Sequence, residues 1–141
     1  MIDIENIVFT KVSQAVMAAY PEASVYGEYI EIPASFPCIC LVESDNYTYR
    51  ETQDMDLLEH HANVTYELNV YSNKSNGKKS EAKAIMNLVD NEMQKMKFTR
   101  TMRNQIPNAD RSIFRIVARY SAVVSKGKQI DTDTIYQMYR R

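Results

Sequence analysis

The chain has 141 residues, 45% of them hydrophobic and 25% charged, with a net charge of −1. That length predicts one domain with one core, able to bury roughly 68–70% of its unfolded surface without staples. The charge balance argues against wholesale binding to nucleic acid or a membrane surface. With neither a secretory leader pattern nor a long apolar span, the expectation is a protein made and kept in a reducing cytoplasm. Ten tyrosines and no tryptophan suit half-buried positions, where the ring packs and the hydroxyl stays wet. They fit a tyrosine-rich sheet or surfaces covered in an assembly.

In chain order, Ile4, Ile7, Val8, Val12, Val16, Ala19 and Tyr20 recur at helical spacing. Asp3 is the expected N-cap and Glu5 suits the positive end of the helix dipole, while Pro21 ends the element. Ser24 to Ile32 reads as a first strand with apolar residues on both faces. Pro33 and Pro37 bracket a short connection, and Cys38-Ile39-Cys40-Leu41-Val42 reads as a central strand buried on both faces. From Glu43 the chain turns polar, and residues 43–54 read as a long loop ahead of Met55 to His61, a helical turn or strand end. Long connections in compact domains are more often functional than neutral. In Asn63 to Tyr71, Val64, Tyr66, Leu68 and Val70 alternate with Thr65, Glu67, Asn69 and Tyr71, the period of a strand with one buried face. After a polar turn, Ala82, Ile85, Val89, Met93 and Met96 mark a helix starting near Lys78 or Ser80. Residues 97–110 read as an irregular or short extended link.

Ile113 to Val124 alternates cleanly. Phe114, Ile116, Ala118, Tyr120, Ala122 and Val124 share one face; Arg115, Val117, Arg119, Ser121 and Val123 share the other. Lys126-Gly127-Lys128 reads as a turn. Ile130 to Arg141 reads as a short strand, a helix turn or an arm that orders on a neighbour. The predicted fold class is α+β, a two-layer sandwich of about four mostly antiparallel strands with both helices on one face. Residues 1–125 form the expected single domain and 126–141 a tail or short extra strand.

The chemistry-bearing residues form no reactive constellation. Cys38, Cys40, His60 and His61 have poor zinc spacing, and buried free cysteines acting as small hydrophobes are the simpler reading. Asn76-Gly77-Lys78-Lys79-Ser80 resembles the end of a phosphate-binding loop but lacks the upstream glycine, where Ser72 stands. Glu51, Asp54, Asp56 and Glu59 near the histidines form a charged loop without fixed geometry, and no nucleophile-elbow or paired-histidine metal motif occurs. The expectation is no enzyme, no cofactor and no metal. The arginines of the last third, with Phe114 and Tyr120, offer the alternative of a nucleic-acid-binding module on the basic C-terminal strand. The strand period nevertheless puts these aromatics opposite Arg115 and Arg119.

The chain also resembles the tail terminator, tail completion or tail-to-head joining proteins of tailed bacteriophages, often labelled minor capsid proteins. The likeness lies in Tyr66-Glu67-Leu68-Asn69-Val70-Tyr71-Ser72-Asn73-Lys74, Gly77-Lys78-Lys79-Ser80-Glu81-Ala82, Phe98-Thr99-Arg100 and Ile116 through Val124. Phe36-Pro37-Cys38-Ile39 and Asn46-Tyr47-Thr48-Tyr49 add to it, and it covers about residues 5 to 125. These are packing and loop patterns rather than a chemical signature. The resemblance implies a structural protein of the virion neck or tail end, made in the host cytoplasm. It would form a homo-oligomeric, typically hexameric ring that caps the tail tube and docks the head-tail connector or stopper, with no membrane and no specific nucleic acid as partner. On that reading Tyr47, Tyr49, Arg50 and Asp54 are the expected contacts with tube or connector. Arg115, Val117, Arg119, Tyr136, Tyr139 and Arg140 are the expected contacts with the ring neighbour.

Overall fold

The computed structural model describes residues 3–30, 33–48, 61–107, 110–130 and 133–139, and from Lys126 onward it does so through the backbone. Among these residues the helices are α1 (Glu5–Ala19) and α2 (Lys78–Lys95). The strands are β1 (Ser24–Tyr26), β2 (Cys38–Thr48), β3 (His61–Ser72), β4 (Thr99–Gln105), β5 (Phe114–Ile130) and β6 (Asp133–Tyr139). They make one sheet in the order β1-β2-β3-β5-β4, with β6 also paired to β5. Val123 to Ser125 bond β3 on one edge and β6 on the other, so β6 lies on the β4 side, farther along β5. Only the β1–β2 pair is parallel.

The core follows from strand alternation. Ile39 and Leu41, Val64 to Val70 at every second position, and Ile116 to Val124 likewise form one buried cluster with both helices. Val8, Val12 and Val16 come from α1, and Ile85, Val89 and Met93 from α2. Each fully buried aliphatic side chain contributes roughly 1.5–3 kcal/mol. Tyr66 meets the edge of Phe98 with ring centres 5.6 Å apart and planes at 87°, a favoured aromatic geometry. Both helices therefore pack on one face, and the α+β class stands.

Local chemistry sets the helix ends. Asp3 is not the N-cap; that position is Ile4, whose side chain is fully buried. Asp3 Oδ1 instead accepts the Glu5 amide at 3.1 Å, so the carboxylate still satisfies an orphan donor of the first turn. Gly77 enters α2 with φ 92°, a conformation that costs glycine nothing. At the other end Lys97 adopts φ 72°. Phe98 N donates to Met93 O at 3.0 Å and Lys97 N to Gln94 O at 3.0 Å. That pair of bonds is a Schellman turn, and the Phe98 and Met93 side chains are both fully buried beside it.

One polar group sits inside this layer. Asp90 on α2 is 7% exposed. Its Oδ1 accepts Tyr120 Oη at 2.8 Å and the Arg100 guanidinium at 3.0 Å, and its Oδ2 accepts Gln94 Nε2 at 2.7 Å. The carboxylate thus ties α2 to β5 and β4. Burial, and then the Asp90 contact, push the Tyr120 phenol well above the usual tyrosine range, so it stays a donor.

Several predicted boundaries move. The first strand is three residues long rather than nine, ending at Tyr26 and running parallel to β2; Glu31 and Ile32 lie outside the described residues. The Cys38 strand lies second from the edge and runs on to Thr48. Its polar half is ladder-bonded to β3 across an irregularity between Glu43 and Asp45. A strand needs only backbone donors and acceptors, so polarity there marks exposure and not the end of the strand. Thr99–Gln105, expected to be a link, is an edge strand whose mostly exposed side chains leave no apolar period to read. The expected turn at Lys126 lies within β5, and part of the tail pairs as β6. Six strands replace the expected four.

Two stability measurements follow. Asp90→Ala strands the Tyr120 hydroxyl in the core and should cost roughly 2–3 kcal/mol, seen as a lower denaturant midpoint with an unchanged slope. Lys97→Gly relieves the left-handed residue and should raise stability by about 0.5–1 kcal/mol in the same titration.

Candidate interaction surface

Since the helices occupy one face, odd-numbered positions of β3 and β5 present the other. At one end of this face Cys38, Cys40 and Tyr71 form a small second cluster, with Tyr26, Ile30, Phe36 and Ile113 packed against it. The two thiols are free and fully buried. The contact with the Cys38 thiol pulls Cys40 down to about 7, helped by the Ile30 backbone and the charge of Arg115. The same contact, with burial, pushes Cys38 well above the usual thiol range. Among the described residues no group of three or more His, Cys, Asp or Glu is placed to hold a metal.

Arg115 adjoins this cluster. Its Nε and a terminal nitrogen donate to Asn69 Oδ1 at 3.0 and 2.8 Å. Its guanidinium lies 5.4 Å from the Tyr71 ring centre and 5.8 Å from that of Tyr29, within cation–π range. Asn69 in turn donates to Glu67 at 3.3 Å, and Glu67 accepts Arg119 Nε at 3.3 Å. Glu67 and Arg119 are register partners, so the ladder itself brings the charges together. This row of fixed planar groups costs little further ordering on contact with a partner. Farther along, Thr65 and Ser121 hydroxyls meet at 3.1 Å, and Tyr47, register partner of Asn63, is 43% exposed.

The predicted contact residues are therefore distributed unevenly. Tyr47, Arg115 and Arg119 share the open face. Val117 lies on it but is 2% exposed, so it supports its neighbours and offers no surface of its own. Tyr136 and Tyr139 are in β6, paired to Lys126 and Val123. Tyr49, Arg50, Asp54 and Arg140 lie outside the described residues. Sequence reasoning missed Asn69, Glu67 and Tyr29 as the groups that hold the arginines. Charge complementarity of Glu67 and Arg119 was visible, but only the register pairs them. The aromatic and basic groups do not combine as a base-stacking platform, because Phe114 and Tyr120 pack with the core under the helices.

No helix among the described residues is long and apolar enough to cross a membrane. No curated protein matches the chain. The family model described as Tail completion protein gp17 matches residues 9–125, a span that takes in most of α1, all of α2 and the strands up to the first part of β5. On that match the chain belongs to the phage tail completion protein gp17 family, a structural component of the bacteriophage tail.

Proposed function

We propose that the chain assembles into a ring, hexameric by resemblance, that caps the tail tube at the neck of the virion and joins it to the head connector. The observation that carries this reading is the one-sided packing of the sheet in a member of a tail completion family. Helices cover one face. The other presents exposed Tyr47 together with Arg115 and Arg119, which Asn69 and Glu67 already hold, and arginine and tyrosine are residue types that anchor protein interfaces. In a ring the contacts are heterologous, so one patch of a copy meets a different patch of the next. The open face and the β5–β6 hairpin, with Tyr136 and Tyr139, are the neighbour-facing patches. At the Tyr47 end of the open face the contact passes from neighbour to tube or connector, and Tyr49, Arg50 and Asp54, which follow Tyr47 in the sequence, are proposed to share it.

Light scattering of the purified chain, alone and with tail tube protein, tests the ring. The expected particle is six times the 16.3 kDa chain mass, in at least one of the two conditions. A strict monomer in both would count against it. Tyr47→Ala combined with Arg50→Ala should leave the thermal midpoint unchanged and weaken docking to tube or connector on the order of tenfold. Unchanged joining of heads to tails by that variant would retire the loop as a contact.

A further inference from the structure

At the sheet edge opposite β6, α1 and β1 border an open groove of about 490 Å³. Partly buried Phe9, Val25 and Tyr26 line it, and exposed Glu5 and Glu28 stand beside them. Among the described residues neither carboxylate takes part in an ion pair. The negative field extends past the groove: Glu43 is held above the usual carboxylate range by burial and then by the charges of Glu5 and Asp3. An apolar strip flanked by two unanswered carboxylates suits a short segment carrying aromatic and basic side chains.

The chain contains such a segment. Residues 126–141 carry Lys126, Lys128, Arg140 and Arg141 against Asp131 and Asp133, a positive excess on a chain whose net charge is −1. The final stretch reads Tyr136-Gln137-Met138-Tyr139-Arg140-Arg141. It cannot fill the groove of its own copy. Crossing from the position of β6 to β1 takes four strand spacings, about 19 Å, given the order β1-β2-β3-β5-β6. As the first two residues after Tyr139, Arg140 and Arg141 reach about 7 Å beyond it at most.

We propose that the groove between α1 and β1 seats the end of β6 in a second copy of this chain, Tyr139 against the apolar strip and the basic pair that follows it, Arg140 and Arg141, meeting Glu28 and Glu5. The inference rests on the ring reading and deepens it. One edge of the sheet offers the segment and the opposite edge receives it, so each copy gives and takes once. A head-to-tail contact of that kind closes into a ring when its rotation allows.

A charge-swap experiment tests it. Arg140→Glu with Arg141→Glu, and separately Glu5→Lys with Glu28→Lys, should each raise the concentration for half-assembly on the order of tenfold. Circular dichroism checks that both variants keep the fold. In an equimolar mixture every junction between unlike variants is matched, so alternating assemblies should form at lower concentration than either variant alone. A quadruple variant carrying both swaps matches at every junction and should assemble like the original chain. Rings that form normally from either double variant, or a quadruple variant no better than the doubles, overturn this contact and leave the ring reading standing. An original chain that stays monomeric with and without tube protein overturns both.

Discussion

The side-chain period of two in β3 and β5 is the constraint on which the rest of the molecule depends. The two strands pair over twelve register positions, His61↔Ser125 through Ser72↔Phe114. Along all of them one parity is committed to the helices and the other to the open face. A slip of one residue would turn Tyr66, Leu68, Ala118 and Tyr120 outward and drive Glu67, Arg115 and Arg119 into the core. Burial of the apolar set therefore fixes the register, and the register places Arg119 opposite Glu67 and Arg115 within reach of Asn69. The pattern of groups on the open face is a by-product of how the core is built.

The helical layer is tied to that sheet by more than apolar contact. Asp90 gathers Tyr120, Arg100 and Gln94, and the turn after α2 places Phe98 beneath Tyr66 just before β4 begins. Hydrophobic burial is non-directional, whereas these bonds are not. They hold α2 at one angle and so set where β4 joins the sheet edge. In the proposed ring that fixity would help, because ordering already achieved in the free chain is not charged again on assembly.

How much of this was legible in the sequence varies by element. The faces of β3 and β5 could be read residue by residue, because one face is apolar and the other polar. Both helices could be read for the same reason, with the start of α2 left between Lys78 and Ser80 and found at Lys78. The polar half of β2 and all of β4 could not, since a strand outside the core has no apolar alternation to announce it. β1 was over-extended because Tyr29 and Ile30 continue the β-branched and aromatic composition after the ladder has stopped. Of the proposed contact residues, Arg115 and Arg119 could be placed on the open face from parity, whereas Tyr47, read as a loop residue, is put there by its pairing with Asn63. Val117 shows the limit of parity, which gives direction but not exposure. The acidic groove at α1 and β1 was not legible, because its members come from segments whose contact only the fold reveals.

The central claim is that the sheet face without helices meets another protein in the assembled tail. Hydroxyl-radical footprinting of tyrosine side chains, in the isolated chain and in purified tails, tests it most directly. Tyr47 is exposed on that face and Tyr66 is buried under the helices. Tyr47 should be modified readily in the isolated chain and protected in tails, while Tyr66 stays protected in both. Equal modification of Tyr47 in the two states would contradict it.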